Sequence, residues 1–232
     1  MGTTSYDTQR ERLRDYFDRT ASETWARLTS DAPVSRIRET VRAGRAEMRA
    51  TLLGWLPEDL TGRRLLDAGC GTGALAVEAA RRGAEVVAVD IAPSLVRVAA
   101  ERTPAELAHR IHWHAGDMLD PGLGLFDHAV AMDSLIHYGA PDIVAALARL
   151  STRTATSIAF TFAPRTPLLS AMHGLGKLFP RTDRSPAIRP VTEAALRMRL
   201  SGIEALDGWA EGRTQRIESG FYISQAMEVC RA

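Results

Sequence analysis

Asp67-Ala68-Gly69-Cys70-Gly71-Thr72-Gly73 is the stretch that decides how this 232-residue chain folds. An apolar run at 63–67 precedes it, and a helical pattern at 74–82 follows. Glycine has no Cβ, so it permits tight turning and lets backbone come close to a ligand. Between a strand and a helix, such a loop suits a nucleoside cofactor laid across strand ends. A lone G-x-G is a weak signal, and with Ala74 the segment also satisfies the looser G-x-G-x-x-A form of dinucleotide sites. Two details discriminate. Asp67 stands ahead of the glycines, and Gly69, Gly71 and Gly73 fall at every second residue.

Outward from the loop, short apolar runs alternate with helical stretches. Strands are expected at 85–90, 111–115, 127–132 and 157–163. Helices are expected at 93–102, with Pro93 in the first turn, and at 141–150. This alternation predicts a parallel sheet with helices on both faces. The tail, 221–230, reads as a strand that follows another apolar segment and lies antiparallel at the sheet edge. Upstream, Val34, Ile37, Val41, Met48 and Leu52 recur at near-helical spacing, and an earlier helix carries Leu13, Phe17, Trp25 and Leu28. Pro33 separates the two. The chain thus divides into a helical arm or cap at 1–60 and a main domain at 61–232. Residues 164–190 interrupt the alternation. They carry Pro164, Pro167, Pro180, Pro186 and Pro190 of the chain's 11 prolines. Arg165, Lys177, Arg181, Arg184 and Arg189 there face Asp183 alone. Such a basic, apolar insertion is either a lid over a substrate or a surface excursion.

Composition narrows the function. Lys plus Arg is 29 against 28 for Asp plus Glu, a net charge of +1, so no global field collects nucleic acid. The chain is 45% hydrophobic and 25% charged, as globular proteins are. No apolar run approaches the roughly 20 residues of a membrane helix, and no signal segment opens the chain. Two cysteines, Cys70 and Cys230, make neither a disulfide framework nor a Cys-based zinc site. The cytosol is the expected compartment. His112 and His114 share one face of a strand but lack a carboxylate or Cys at ligand spacing, so no metal site is expected.

The D-x-G-x-G-x-G segment resembles the fingerprint of class I S-adenosylmethionine-dependent methyltransferases. The resemblance implies a Rossmann-like α/β fold: a mostly parallel seven-stranded sheet with an antiparallel edge strand, an N-terminal helical arm and an inserted lid. It implies that Asp67, Gly69, Gly71 and Gly73 lie at the cofactor's amino acid end and ribose. Asp90, with Ile91, would take the ribose hydroxyls. Asp117 would meet the adenine amine, Met118 would flank the ring, and Met132 would complete the cofactor set.

A narrower resemblance runs from Tyr16 to Glu228. Tyr16-Phe17-Asp18-Arg19-Thr20, Trp25-Ala26-Arg27-Leu28, Asp133-Ser134-Leu135-Ile136-His137-Tyr138, Gly176-Lys177-Leu178-Phe179-Pro180 with Ser185-Pro186, and Gly220-Phe221-Tyr222-Ile223-Ser224 resemble the magnesium-protoporphyrin IX O-methyltransferase family. That family methylates one propionate of the magnesium porphyrin to give the 13-monomethyl ester, in chlorophyll and bacteriochlorophyll synthesis. The resemblance implies His137 and Tyr16 as catalytic residues. His137 would position the substrate or, less favoured, coordinate its magnesium; Tyr16 would close over the cofactor. Tyr138, Met172 and Phe179 would contact the porphyrin, and Arg165, Lys177, Arg181 or Arg184 would hold the non-reacting propionate. It also implies contact with the large subunit of magnesium chelatase and loose association with the photosynthetic membrane. The alternatives are a methyltransferase acting on a quinone or phenol, which would need a base, a nucleotide-binding oxidoreductase, disfavoured by the glycine spacing, and a cofactor-sensing module without catalysis.

Overall fold

Five strands run parallel because each is joined to the next by a crossover long enough to return over the sheet. The computed structural model describes residues 5–19, 36–165 and 187–232. Two helices come first, α1 (Ser5–Arg19) and α2 (Arg36–Gly54). The alternating part follows as β1 (Arg64–Ala68), α3 (Ala74–Arg81), β2 (Glu85–Asp90), α4 (Pro93–Glu101), β3 (Ile111–Ala115), β4 (Phe126–Ala131), α5 (Ala140–Ser151) and β5 (Thr154–Phe162). The chain ends with α6 (Glu193–Leu200), β6 (Trp209–Ser219) and β7 (Tyr222–Arg231). The seven strands lie in the order β3-β2-β1-β4-β5-β7-β6. β7 pairs antiparallel with β5, and β6 pairs antiparallel with β7.

Both faces of the sheet are covered, and the pleat shows it. Leu65, Val86, Ala88, Val130 and Ala159 belong to one core, with Met48 and Leu52 of α2 and Leu75 and Ala79 of α3. Their neighbours Leu66, Val87, Val89, Ala129, Ala131, Ile158 and Phe160 belong to the other, with Ile143, Leu147 and Leu150 of α5 and Leu196 of α6. Strands buried on both faces need near-continuous apolar sequence, which is why they read so clearly. The first sixty residues divide in their packing. α2 buries its apolar face in the sheet's core, whereas α1 lies across the ends of the strands.

Two elements depart from the sequence pattern. The antiparallel strand β7 sits one place in from the edge, and the outermost strand is β6, whose sequence is polar rather than apolar and whose side chains are mostly exposed. An edge strand with one pairing partner has little surface to bury, and charged residues protect it from further pairing. α6 has no strong period because it buries only Leu196 and Leu200; Thr192 caps it, accepting from the Ala195 N–H. Trp25, Leu28 and the core of the insertion lie outside the described residues.

The glycine loop holds the sheet's mouth together. Gly69, Gly71 and Gly73 all adopt left-handed backbone, with φ of 88°, 55° and 82°. At Gly73 a Cβ would stand 2.3 Å from the Trp113 ring of β3 and 3.0 Å from Ala99 of α4. Beneath the loop, the buried Asp67 carboxylate accepts from the Ala76 N–H in the first turn of α3, while its Oδ2 has no partner. Burial and the nearby Asp90 push this carboxyl up to about 7.

Two outcomes follow from this loop. Gly73→Ala combines a disfavoured φ with a collision and should cost about 1–3 kcal/mol in equilibrium urea unfolding. An acid whose pKa is higher folded than unfolded favours the folded state at low pH. For Asp67 that contribution fades as pH rises from 3.8 to about 7 and is gone above it. In the absence of ligand, Asp67→Asn should therefore gain stability relative to the parent over that interval and level off above it. A difference independent of pH would show that Asp67 does not titrate there.

Candidate active site

In an open α/β sheet the crevice opens where strand order reverses, outside the carboxyl ends of the strands. Here that point lies between β1 and β4. A cavity of about 290 Å³ occupies it, a volume suited to a small molecule.

One half is lined by Gly69, Gly71 and Thr72 after β1, Asp90 and Ile91 at the end of β2, and Gly116, Asp117 and Met118 after β3. The Asp90 carboxylate is fixed by backbone: the Gly71 N–H donates to Oδ2 at 2.8 Å and the Ala92 N–H to Oδ1 at 2.9 Å. Each oxygen keeps acceptor capacity, which suits two vicinal hydroxyls. Burial pushes the Asp90 carboxyl up, against the pull of these amides. A Cβ at Gly71 would meet nothing within 4 Å, so the loop is open on its cavity side. A Cβ at Gly69 would fall 2.3 Å from Ser134 Cβ, so this glycine lets the loop after β4 close in. The buried Ser134 hydroxyl has no protein partner there. An open cradle, a doubly fixed carboxylate and an orphaned hydroxyl fit a polar nucleoside cofactor.

α1 crosses above this half like a bar. Ser5 donates to Asp142 in the first turn of α5, and Asp18 accepts from the Ser94 N–H at the start of α4. Between these ends, the Tyr6 hydroxyl donates to Asp117 Oδ1 at 2.9 Å, and Arg10 pairs with Asp117 Oδ2 at 2.6 Å. The Leu119 N–H also reaches Oδ1. A carboxylate offers about four acceptor positions, so one remains for a ligand amine. Tyr6 stacks on Tyr138 with ring centroids 5.0 Å apart, and burial raises the pKa of both phenols.

The other half gathers around the end of β4. His137 is buried in a one-turn helix, Leu135–His137, with the Phe17 ring of α1 set edgewise 5.9 Å away. Asp133 adopts left-handed backbone, with φ of 54°. Its N–H donates to Thr161 Oγ1 at 2.7 Å, and its carboxylate accepts from the Tyr222 hydroxyl at 3.0 Å. Arg45 of α2 pairs with the same carboxylate at 3.1 Å.

Of the residues singled out in the sequence, His137, Gly69, Gly71, Asp90, Ile91, Asp117, Met118 and Met132 line this one cavity. Asp67 and Gly73 lie behind it as supports. Tyr16 is half-buried on α1 and meets Phe17 edgewise at 5.2 Å, so the α1 side chains that line the cavity are Tyr6, Arg10, Leu13 and Phe17 instead. Tyr138 backs Tyr6 rather than facing the cavity. Arg165 is exposed and off the wall. Met172, Lys177, Phe179 and Arg181 lie outside the described residues. Sequence reasoning gave no role to Tyr6, Arg10, Arg45, Asp133 or Tyr222; the one available signal was that Asp133 and Tyr222 stand inside quoted motifs. Among the described residues no group of three or more His, Cys, Asp or Glu is placed to hold a metal ion.

Comparison with known proteins identifies the family. Residues 131–231 match the family model described as magnesium-protoporphyrin IX methyltransferase C-terminus, and residues 65–156 match a methyltransferase domain model. A magnesium-protoporphyrin O-methyltransferase of Rhodobacter capsulatus is 52% identical over 220 residues, covering 94% of this chain and 95% of that protein. The crystal structure of magnesium protoporphyrin IX methyltransferase from Synechocystis PCC 6803 with bound S-adenosylhomocysteine superposes with a TM-score of 0.84. It is 28% identical and covers 97% of this chain and 100% of that one. A ubiquinone biosynthesis O-methyltransferase of Xanthomonas oryzae is 40% identical, but over only 40% of either protein. The chain belongs to the magnesium-protoporphyrin O-methyltransferase family, within the class I S-adenosylmethionine-dependent methyltransferases.

Proposed function

We propose that this chain transfers a methyl group from S-adenosylmethionine to one propionate carboxylate of magnesium-protoporphyrin IX, giving the 13-monomethyl ester. One observation carries the choice of acceptor. The family-specific match at 131–231 spans the half of the cavity around Asp133, His137 and Tyr222, and not only the cofactor loop that many methyltransferases share.

The cofactor supplies an electrophilic methyl group on a sulfonium. Asp90 would hold its ribose hydroxyls, with the glycine loop lying against it without side chains in the way, and Asp117 would take the adenine edge. α1, latched by Tyr6 and Arg10, keeps water from the reacting atoms. A propionate with a pKa of about 4.3 is ionised at pH 7, so no general base is needed. Alignment and dehydration are the remaining tasks. His137 orients the acceptor carboxylate. Tyr16 acts as a positioning residue, bracing Phe17 against His137. The contacts proposed for Met172, Lys177, Phe179 and Arg181 rest on the sequence reading alone. So do contact with the magnesium chelatase large subunit and peripheral membrane association. No helix among the described residues is long and apolar enough to cross a membrane.

Incubation with methyl-deuterated S-adenosylmethionine and magnesium-protoporphyrin IX should give a labelled monoester by mass spectrometry, with less from the metal-free ring. No transfer by protein that still binds S-adenosylhomocysteine would discard the porphyrin reading and keep the methyltransferase fold. His137→Phe should lower turnover and leave S-adenosylhomocysteine affinity intact; unchanged turnover would remove His137 from the site.

A further inference from the structure

The acceptor half of the cavity contains a polar cluster that neither the cofactor nor His137 accounts for. Two arginines, Arg10 and Arg45, line the described cavity. Arg10 is engaged by Asp117 in the cofactor half. Arg45 stands on the opposite wall, with its Nη1 3.1 Å from Asp133 Oδ2. Its side chain is 24% exposed, against 7% for Asp133, and both residues line the cavity.

Two locally unfavourable choices converge on that placement. Asp133 holds left-handed backbone, a conformation costly for a residue with a Cβ and sustained only where the surroundings fix it. Thr161, Tyr222 and Ser224 fix it, through the hydrogen bonds at its N–H and carboxylate. Gly44, inside α2, weakens a helix interior. A Cβ there would lie 2.5 Å from the Tyr222 ring, so glycine is what lets Tyr222 lie against the helix. The next residue is Arg45. The result is a guanidinium aimed by a carboxylate that is itself held by three hydroxyl side chains.

The chemistry of the acceptor says what such a cation would hold. A reacting carboxylate loses its charge, so a tight ion pair to it would stabilise the ground state more than the transition state. A second carboxylate on the same acceptor keeps its charge throughout. Clamping that one strengthens binding without slowing transfer, and a guanidinium fork suits it. We propose that Arg45, aimed by Asp133 and Tyr222, binds the non-reacting carboxylate of the acceptor and thereby selects which of the two carboxylates is methylated. The inference rests on the porphyrin reading above. It adds Arg45 to the anchors expected from the sequence, of which Arg165 lies off the cavity wall while Lys177, Arg181 and Arg184 lie outside the described residues.

The test compares two acceptors, magnesium-protoporphyrin IX and an analogue whose spectator propionate is replaced by an alkyl group. With the diacid, Arg45→Gln should raise KM roughly 10- to 100-fold, with a smaller effect on kcat, and release two isomeric monoesters instead of one. The parent protein should lose a similar factor when given the monoacid, and Arg45→Gln should add little to that loss. Equal losses on both acceptors, or an unchanged KM and a single isomer, would overturn the inference while leaving the porphyrin reading intact. Failure of the parent protein to methylate the diacid would overturn the porphyrin reading itself. If Arg45→Gln does not fold, as judged by S-adenosylhomocysteine binding, Arg45→Lys provides the same comparison, since it keeps the charge and loses the fork.

Discussion

Four strands meet at one loop, and the loop meets them because two of its glycines leave room for close neighbours and all three turn left-handed. Gly69 admits Ser134 after β4, Gly73 admits Trp113 of β3, and Gly71 turns its N–H onto Asp90 at the end of β2. The loop itself issues from β1. A single Cβ at either end would force apart elements whose spacing defines the cavity. The left-handed backbone at all three positions excludes most other residues on conformational grounds as well. Sterics and dihedral preference thus act at the same place, and the cofactor half of the site inherits its shape from both.

Around that loop the protein sets one aspartate at or just beyond the end of each of the first four strands: Asp67, Asp90, Asp117 and Asp133. Their partners differ, and the difference tracks their place in the site. Asp67 and Asp90 are met by backbone amides and are pushed up by burial. Asp117 is met by α1, and Asp133 by α2 and β7. The inner pair shapes the loop, and Asp90 keeps a carboxylate fixed by two backbone amides at the cavity. The outer pair ties the flanking elements to the mouth of the sheet, so that each helix brings an arginine into the cavity with it. Buried charges of one sign are costly unless they are paired or hydrogen-bonded. That requirement is what brings distant parts of the chain together here.

The same requirement explains what the sequence could and could not reveal. β1 to β5 were legible because burial on both faces demands apolar runs, and the glycine spacing marked the loop between β1 and α3. Asp90 was legible because it ends such a run. Tyr6 and Arg10 were not, since their partner Asp117 lies 111 and 107 residues away and nothing local records the contact. Tyr222 and Asp133, 89 residues apart, share that difficulty. β6 escaped notice because an edge strand can be polar, and α6 because two buried leucines make no period. Gly44 looked like any helix interior until the Tyr222 ring was seen against it.

Arrangement and chemistry can now be connected through charge. Transfer of a methyl group from a sulfonium to a carboxylate turns a cation and an anion into two neutral groups. Water solvates the separated ions better than the charge-dispersed transition state, so excluding it lowers the barrier. On the proposed reading α1 would exclude it, fastened by Tyr6 and Arg10 through Asp117, the carboxylate proposed for the cofactor's adenine. Closure of the mouth and recognition of the cofactor would then share one carboxylate. In a dry mouth an acceptor's second carboxylate would face the unscreened field of Asp133, at an effective dielectric far below that of water. Arg45 cancels that field where it is strongest. A site that must be dry to be fast, and must admit a dianion to be useful, needs a cation that remains charged through the reaction and does not touch the reacting oxygen.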